Sequence, residues 1–160
     1  EPHVVRGTAK ILDLQDPTAK MSKSAASASG LIELLDPPTV IAKRIRSAVT
    51  DTEREIRYDP ETKPGIANLL TIHSALSGRT IPELEEAFAG RGYGDLKSEV
   101  ADLVIAVVTP FQDRVHEYLD TPGLLDDVLA EGAERAREIA RGTLARVYDR
   151  VGLLPQRSPS

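Results

Sequence analysis

Two lysines three residues apart, Lys20 and Lys23, stand in the pentapeptide Lys20-Met21-Ser22-Lys23-Ser24. In a loop, both ammonium groups can reach one polyphosphate, and each charge-assisted hydrogen bond to a phosphate oxygen contributes about 1.5–3 kcal/mol. The serine hydroxyls and exposed amides add donors. Contacts that tighten as pyrophosphate leaves stabilise developing charge, and removing one such donor slows catalysis by about a hundredfold or more. A solvated Lys/Ser linker has the same composition, so context must decide between the two readings.

Other charged residues are less specific. Arg141, Arg146 and Arg150 lie in the second half of the last helical pattern, with Asp126, Asp127, Glu131 and Glu134 in the first half. That gradient complements a helix dipole without any further role. The same arginines also offer RNA phosphates a place to sit, a tRNA-binding expectation alongside the structural one. His3, His73 and His116 are too scattered for a ligand motif, so structural or surface roles are expected and no metal site is assigned.

The elements that position these groups follow from composition and period. A chain of 160 residues with 41% hydrophobic content accommodates one main core, or one domain and a piece of another. The sequence has no cysteine, which excludes disulfides and thiolate metal sites and suits a reducing cytoplasm. No apolar run approaches the roughly 20 residues of a membrane span, so no membrane partner is expected. A net charge of −5 requires any RNA contact to use a local basic face.

Val4, Val5, Ala9, Ile11 and Leu14 alternate in the manner of one or two strands, too few for a stable sheet by themselves. From Leu31 onward the period is helical. Asp36-Pro37 suits the start of a helix burying Val40, Ile41, Ile45 and Val49, with Asp36 accepting from first-turn amides. Residues 50–63 read as an ordered connector containing a short extended piece, Ile56-Arg57-Tyr58. Pro64 opens a helix closed by Gly78, and Thr80 with Glu83 forms a capping box for the next. Arg91-Gly92-Tyr93-Gly94 is expected to be a loop. A long helix then carries Leu96, Val100, Leu103, Val104, Val107, Phe111 and Val115, with a kink at Pro110. After Thr121-Pro122-Gly123, a last helix aligns Leu125, Val128, Leu129, Ala136, Ile139, Ala140, Leu144 and Val147 on one side.

The pentapeptide is identical to a signature of the class I aminoacyl-tRNA synthetases, and residues Asp16 to Ser24 as a whole resemble the tryptophanyl branch. So do Ile45-Arg46-Ser47-Ala48-Val49-Thr50-Asp51, Ile56-Arg57-Tyr58-Asp59, Lys63-Pro64-Gly65-Ile66-Ala67-Asn68-Leu69-Leu70 and Gly92-Tyr93-Gly94-Asp95-Leu96-Lys97, in the family's order and spacing. The likeness runs from Thr8 to about Leu154. Ala25 departs from a common aspartate and Ala67 from a common serine, and neither change removes a phosphate-binding side chain.

The resemblance implies a mainly α fold: a helical bundle forming an anticodon-binding domain over residues 30–154, preceded over residues 1–29 by a β/loop remnant of a Rossmann-type catalytic domain. Residues 155–160 are expected to be a flexible tail. It implies activation of L-tryptophan with ATP and Mg2+ to tryptophanyl-adenylate, release of pyrophosphate, and transfer to tRNA(Trp), without a prosthetic group. Lys20 and Lys23 would be catalytic. Ile11, Lys20, Met21, Ser22, Lys23 and Ser24 would form the ATP side, and the parent enzyme would be a cytoplasmic homodimer. The family's histidine-containing signature and tryptophan pocket have no counterpart in these residues, so the isolated chain is expected to be inactive. A helical RNA- or protein-binding module of synthetase ancestry is the competing expectation.

Overall fold

The computed structural model describes residues 10–23 and 28–153. The expected strand residues Val4, Val5 and Ala9, together with His3, Ser24 and the tail from residue 155, lie outside the described residues. Within them the chain is mainly helical: α1 (Pro38–Arg46), α2 (Pro64–Ser77), α3 (Ile81–Ala87), α4 (Tyr93–Asp120) and α5 (Leu124–Val151), with a short 3-10 turn at Ala28–Gly30. Two compact units divide within α4, Glu1–Asp113 and Arg114–Ser160.

The first unit is organised around α2, whose apolar residues surround its first turns and therefore require neighbours on several sides. Gly65, Ile66, Ala67, Asn68, Leu69, Leu70, Ile72 and His73 are all buried. Ile41 and Ile45 of α1, Leu84 of α3, Phe88, and Leu96, Val100, Val104 and Val108 of α4 complete one core with Leu14 and Ile56. Each fully buried Ile or Leu contributes about 1.5–3 kcal/mol. His73 is a core histidine: its ring nitrogens lie 3.1 Å from Ser77 Oγ and 3.0 Å from Glu99 Oε1, and its ring meets Phe88 edge-on at 5.8 Å.

The helix ends follow the local chemistry. Gly78 closes α2 at φ 74°, a left-handed conformation that a Cβ disfavours. The Thr80 amide donates to Glu83 Oε2 at 2.7 Å at the start of α3. Three expectations change. Asp36 does not cap α1: its carboxylate accepts from the Glu33 amide at 2.7 Å and pairs with Arg44, while Pro37 occupies the cap position. Ala48 is buried where Val49 was expected, because α1 ends at Arg46 and the backbone turns there. Tyr93 and Gly94 belong to α4, since the Gly92 carbonyl accepts from the Asp95 amide at 3.0 Å and the Gly92 amide donates back to the Asp95 carboxylate at 3.2 Å.

The inner stripe of α4 is Leu96, Val100, Ala101, Val104 and Val108, whereas Val107 and Phe111 are about half exposed. Pro110 lies inside α4, which continues past it to Asp120. In the second unit, no residue of α5 is buried, so the apolar side expected there has solvent access along its length.

The turn ahead of α2 is fixed by Asp59, whose carboxylate accepts from the Thr62 hydroxyl at 2.6 Å, the Thr62 amide at 3.0 Å, the Glu61 amide at 3.1 Å and Arg57 at 2.9 Å. The Thr62 hydroxyl and amide outweigh the opposing desolvation and, with smaller help from Arg57 and the Glu61 amide, hold this carboxyl well below the usual carboxylate range. A depressed folded-state pKa contributes stability above the unfolded value, about 3.9 for aspartate, and that contribution is lost as pH falls through the folded value. Thermal melts from pH 7 to pH 2 should therefore show a smaller acid-induced drop in Tm for Asp59→Asn than for the parent. An identical drop in both would remove Asp59 from the acid response.

Candidate functional site: a lysine-bearing hairpin stitched to the helices

The pentapeptide begins on the return arm of a small hairpin. The Asp13 amide donates to the Ala19 carbonyl at 3.0 Å and the Met21 amide to the Ile11 carbonyl at 3.0 Å, flanking an antiparallel bridge between Leu12 and Lys20. Asp16 shapes the tip. Its carbonyl accepts from the Ala19 amide at 3.0 Å, and its carboxylate from the Thr18 amide at 3.1 Å and the Thr18 hydroxyl at 2.6 Å. The Thr18 hydroxyl and amide hold the Asp16 carboxyl below its ordinary range.

Alternation across the hairpin separates its two faces. Ile11 and Met21 are half-buried against the helical core, while Lys20, on the intervening position, is exposed, as is Lys23. Lys20 therefore stands on a small scaffold whose other face is packed, and Lys23 follows just beyond it. Ser22 is half-buried between them.

The arm Leu12–Gln15 is fastened to the helical unit at four places. Asn68 of α2 accepts from the Leu12 amide and donates to the Leu12 carbonyl, both at 2.9 Å. The Leu14 amide donates to the Gly30 carbonyl at 2.9 Å, the Val49 amide to the Leu14 carbonyl at 2.7 Å, and Gln15 Nε2 to the Ser47 carbonyl at 3.0 Å. Asp13 is buried and accepts from the Gln15 and Asp16 amides at 2.8 and 3.1 Å. Gly30 passes so close that a Cβ there would stand 1.8 Å from Asp13 Oδ1.

A second polar cluster supports the connector that receives this arm. Lys63, only 2% exposed, donates to Asp51 Oδ1 at 3.3 Å, the Glu55 carbonyl at 3.3 Å and the Tyr93 hydroxyl at 3.1 Å, and pairs with Glu53. Tyr93 donates to Asp51 Oδ1 at 2.6 Å. The hydrogen bond to Glu53 leads in raising the Lys63 pKa, with Tyr93 and Asp51 adding to it against desolvation. Burial would raise the Asp51 carboxyl, yet Tyr93, the Glu53 amide and Lys63 together outweigh it and hold the group low. Lys97 donates to the Ala48 carbonyl at 2.8 Å. Three separate sequence blocks, around Asp51, Lys63 and Tyr93, thus meet at one buried ion-pair cluster.

Arg141, Arg146 and Arg150 are exposed on α5. Arg141 pairs with Glu134 at 3.0 Å, and Arg146 and Arg150 line a shallow cleft of about 170 Å³ with Thr143 and Val147. A larger cleft of about 740 Å³ opens beside Arg54, Arg57, Phe88 and Arg91 and includes none of the residues expected to bind ATP or tRNA.

Sequence reasoning did not single out Asn68 as a functional residue. Its signals there are its place in the block from Lys63 to Leu70 and an amide inside an apolar run, which needs a buried partner.

The hairpin, its lysine signature and the helical body define a class: the chain belongs to the class I tRNA synthetases of the tryptophan and tyrosine (W and Y) family, whose model matches residues 2–109. Within that family its similarities are to the tryptophan enzymes. It is 57% identical to tryptophan–tRNA ligase 2 of Streptomyces avermitilis over 97% of this chain and 46% of that protein. It is 56% identical to the tryptophan–tRNA ligase of Mycobacterium leprae, over 93% of this chain and 43% of that protein. The tryptophanyl-tRNA synthetase of Mycoplasma pneumoniae superposes with a TM-score of 0.77 at 35% identity, covering 95% of this chain and 48% of that one. The Campylobacter jejuni enzyme, solved with ADP and tryptophan, gives 0.71 at 30% identity over 96% of this chain and 46% of that one. The chain thus spans less than half the length of these relatives. Among the described residues, no helix is long and apolar enough to cross a membrane.

Proposed function

We propose that this chain supplies the phosphate-handling lysine loop and the tRNA-facing helices of a cytoplasmic tryptophan–tRNA ligase. In this reading the enzyme activates L-tryptophan with magnesium-bound ATP, releases pyrophosphate, and transfers the aminoacyl group from the adenylate to tRNA(Trp). The observation that carries it is the presentation of Lys20 and Lys23: exposed cations, one on a return arm whose opposite face packs on the core, in the signature sequence of the matched family. Cations presented there lower the barrier by stabilising the charge that grows on the leaving pyrophosphate.

Lys20 and Lys23 hold the phosphates. Ile11, Met21, Ser22 and Ser24 complete the nucleotide side, and residues 30–154 serve as the anticodon-binding domain, with Arg141, Arg146 and Arg150 as phosphate contacts. Residues 1–29 are the edge of the catalytic domain, 155–160 a tail, and the assembled enzyme a homodimer. The chain alone does not catalyse, because a tryptophan pocket must come from a nucleotide-binding half. A helical binding module of the same ancestry is the second reading, favoured by the open apolar side of α5, where Leu129 and Ile139 are 61% and 79% exposed.

Charging assays separate the two. The chain assembled with a nucleotide-binding half of this family should attach tryptophan to tRNA(Trp), with tyrosine a poor substrate. Binding of tRNA without charging would support the module instead.

A further inference from the structure

We propose that Asn68 is a positioning residue for the lysine hairpin, transmitting the place of α2 to Lys20 through the backbone of Leu12; the inference rests on the reading of that hairpin as the phosphate-handling loop. In the hairpin, Leu12 faces Lys20 as the pair whose own backbone groups point away from the opposite strand, since the cross-strand hydrogen bonds are made by Asp13 with Ala19 and by Met21 with Ile11. The outward Leu12 N–H and C=O are an unpaired strand edge. Asn68 meets both at 2.9 Å, its side-chain amide acting as one residue of a neighbouring strand.

Asn68 is suited to this because it is itself held. It is 4% exposed, in the second turn of a helix buried on both sides of it at Ala67 and Leu69. A side-chain amide in such surroundings must satisfy its donor and acceptor, and the Leu12 peptide does so for both. Lys20 is thereby two short links from the helical core: Asn68 to Leu12, and Leu12 across the bridge to Lys20. Leu14, bonded to Gly30 and Val49, fastens the same arm farther along but leaves the Leu12 register to Asn68.

Asn68→Ala removes both bonds while leaving the hairpin's internal ones in place. Loss of geometric control over a phosphate-binding lysine lowers turnover on the order of ten- to a hundredfold. Tryptophan-dependent pyrophosphate exchange in the full enzyme containing this chain reads the effect: kcat falls by that factor with the KM for tryptophan unchanged. Hydrogen exchange on the peptide covering residues 11–21 should accelerate at the same time. Val104→Ala, a core truncation away from the hairpin, controls for stability and keeps kcat within about twofold. Leu12→Pro deletes the Leu12 N–H that Asn68 accepts while leaving Asn68 itself in place, and it reproduces the kcat loss even if Asn68→Ala fails to fold. Unchanged kcat in both hairpin variants, or an equal loss in Val104→Ala, overturns the positioning role. Absence of exchange in the parent enzyme overturns the underlying functional reading and this role with it.

Discussion

Lys23→Ala should lower the rate of tryptophan-dependent pyrophosphate exchange by about a hundredfold or more, with tryptophan binding little altered. Lys23 is exposed at the end of the described hairpin, beyond the return arm that carries Lys20. Its ammonium is free to follow a polyphosphate, and its removal takes away a charge that acts mainly as pyrophosphate departs. An interaction made chiefly in the transition state shows itself as a kcat loss, whereas one made equally in the ground state raises KM alone. Pre-steady-state measurement of adenylate formation in the assembled enzyme, alongside equilibrium binding of tryptophan, separates these. Equal damage to both would place Lys23 near the amino acid and defeat its assignment to the phosphates.

The largest structural effect is expected from Gly65→Ala. Gly65 lies in the first turn of α2 against the chain that leaves α1, and a Cβ there would stand 2.1 Å from the Val49 carbonyl oxygen and 3.3 Å from Thr50 Cα. Both obstacles are backbone. Neither yields easily, because the Val49 amide is bonded to Leu14 at 2.7 Å and the Ala48 carbonyl to Lys97 at 2.8 Å. Alanine favours a helix over glycine by about 1 kcal/mol, but overpacking costs about 1–3 kcal/mol and sometimes more. The clash wins at so short an approach, and Tm should fall by several degrees, on the order of ten. Gly142→Ala, inside α5 with nothing within 4 Å of the added Cβ, should instead raise stability. A stable Gly65→Ala variant would mean that α2 and the Val49 backbone are not locked together.

Much of the helical unit was legible because its signals are local. Gly78 and the Thr80/Glu83 pair end and start helices through their own backbone preferences, and α2 and α4 follow their apolar periods. Periodicity was less informative about depth. Val107 and Phe111 continue the α4 pattern yet are about half exposed, and α5 has an apolar side with no buried residue. A 3.6-residue period records which residues share a side, not whether a neighbour covers it. The start of α4 was hidden because Asp95 stabilises a glycine-rich turn that composition alone reads as a loop.

The hairpin was partly legible. The pentapeptide named the lysines, but the attachment of Leu12 to Asn68 joins residues far apart in the chain and leaves no local pattern. The cluster of Lys63, Asp51 and Tyr93 is similar: each residue sits in a separate recognisable block, and only the fold brings them together.

Pyrophosphate exchange by this chain alone, and then mixed with a separately made nucleotide-binding half, tests the central claim most directly. The expected result is tryptophan-dependent incorporation of labelled pyrophosphate into ATP only in the mixture, abolished by Lys23→Ala. Exchange by the chain alone, or silence in a mixture whose halves are shown to associate, would contradict it.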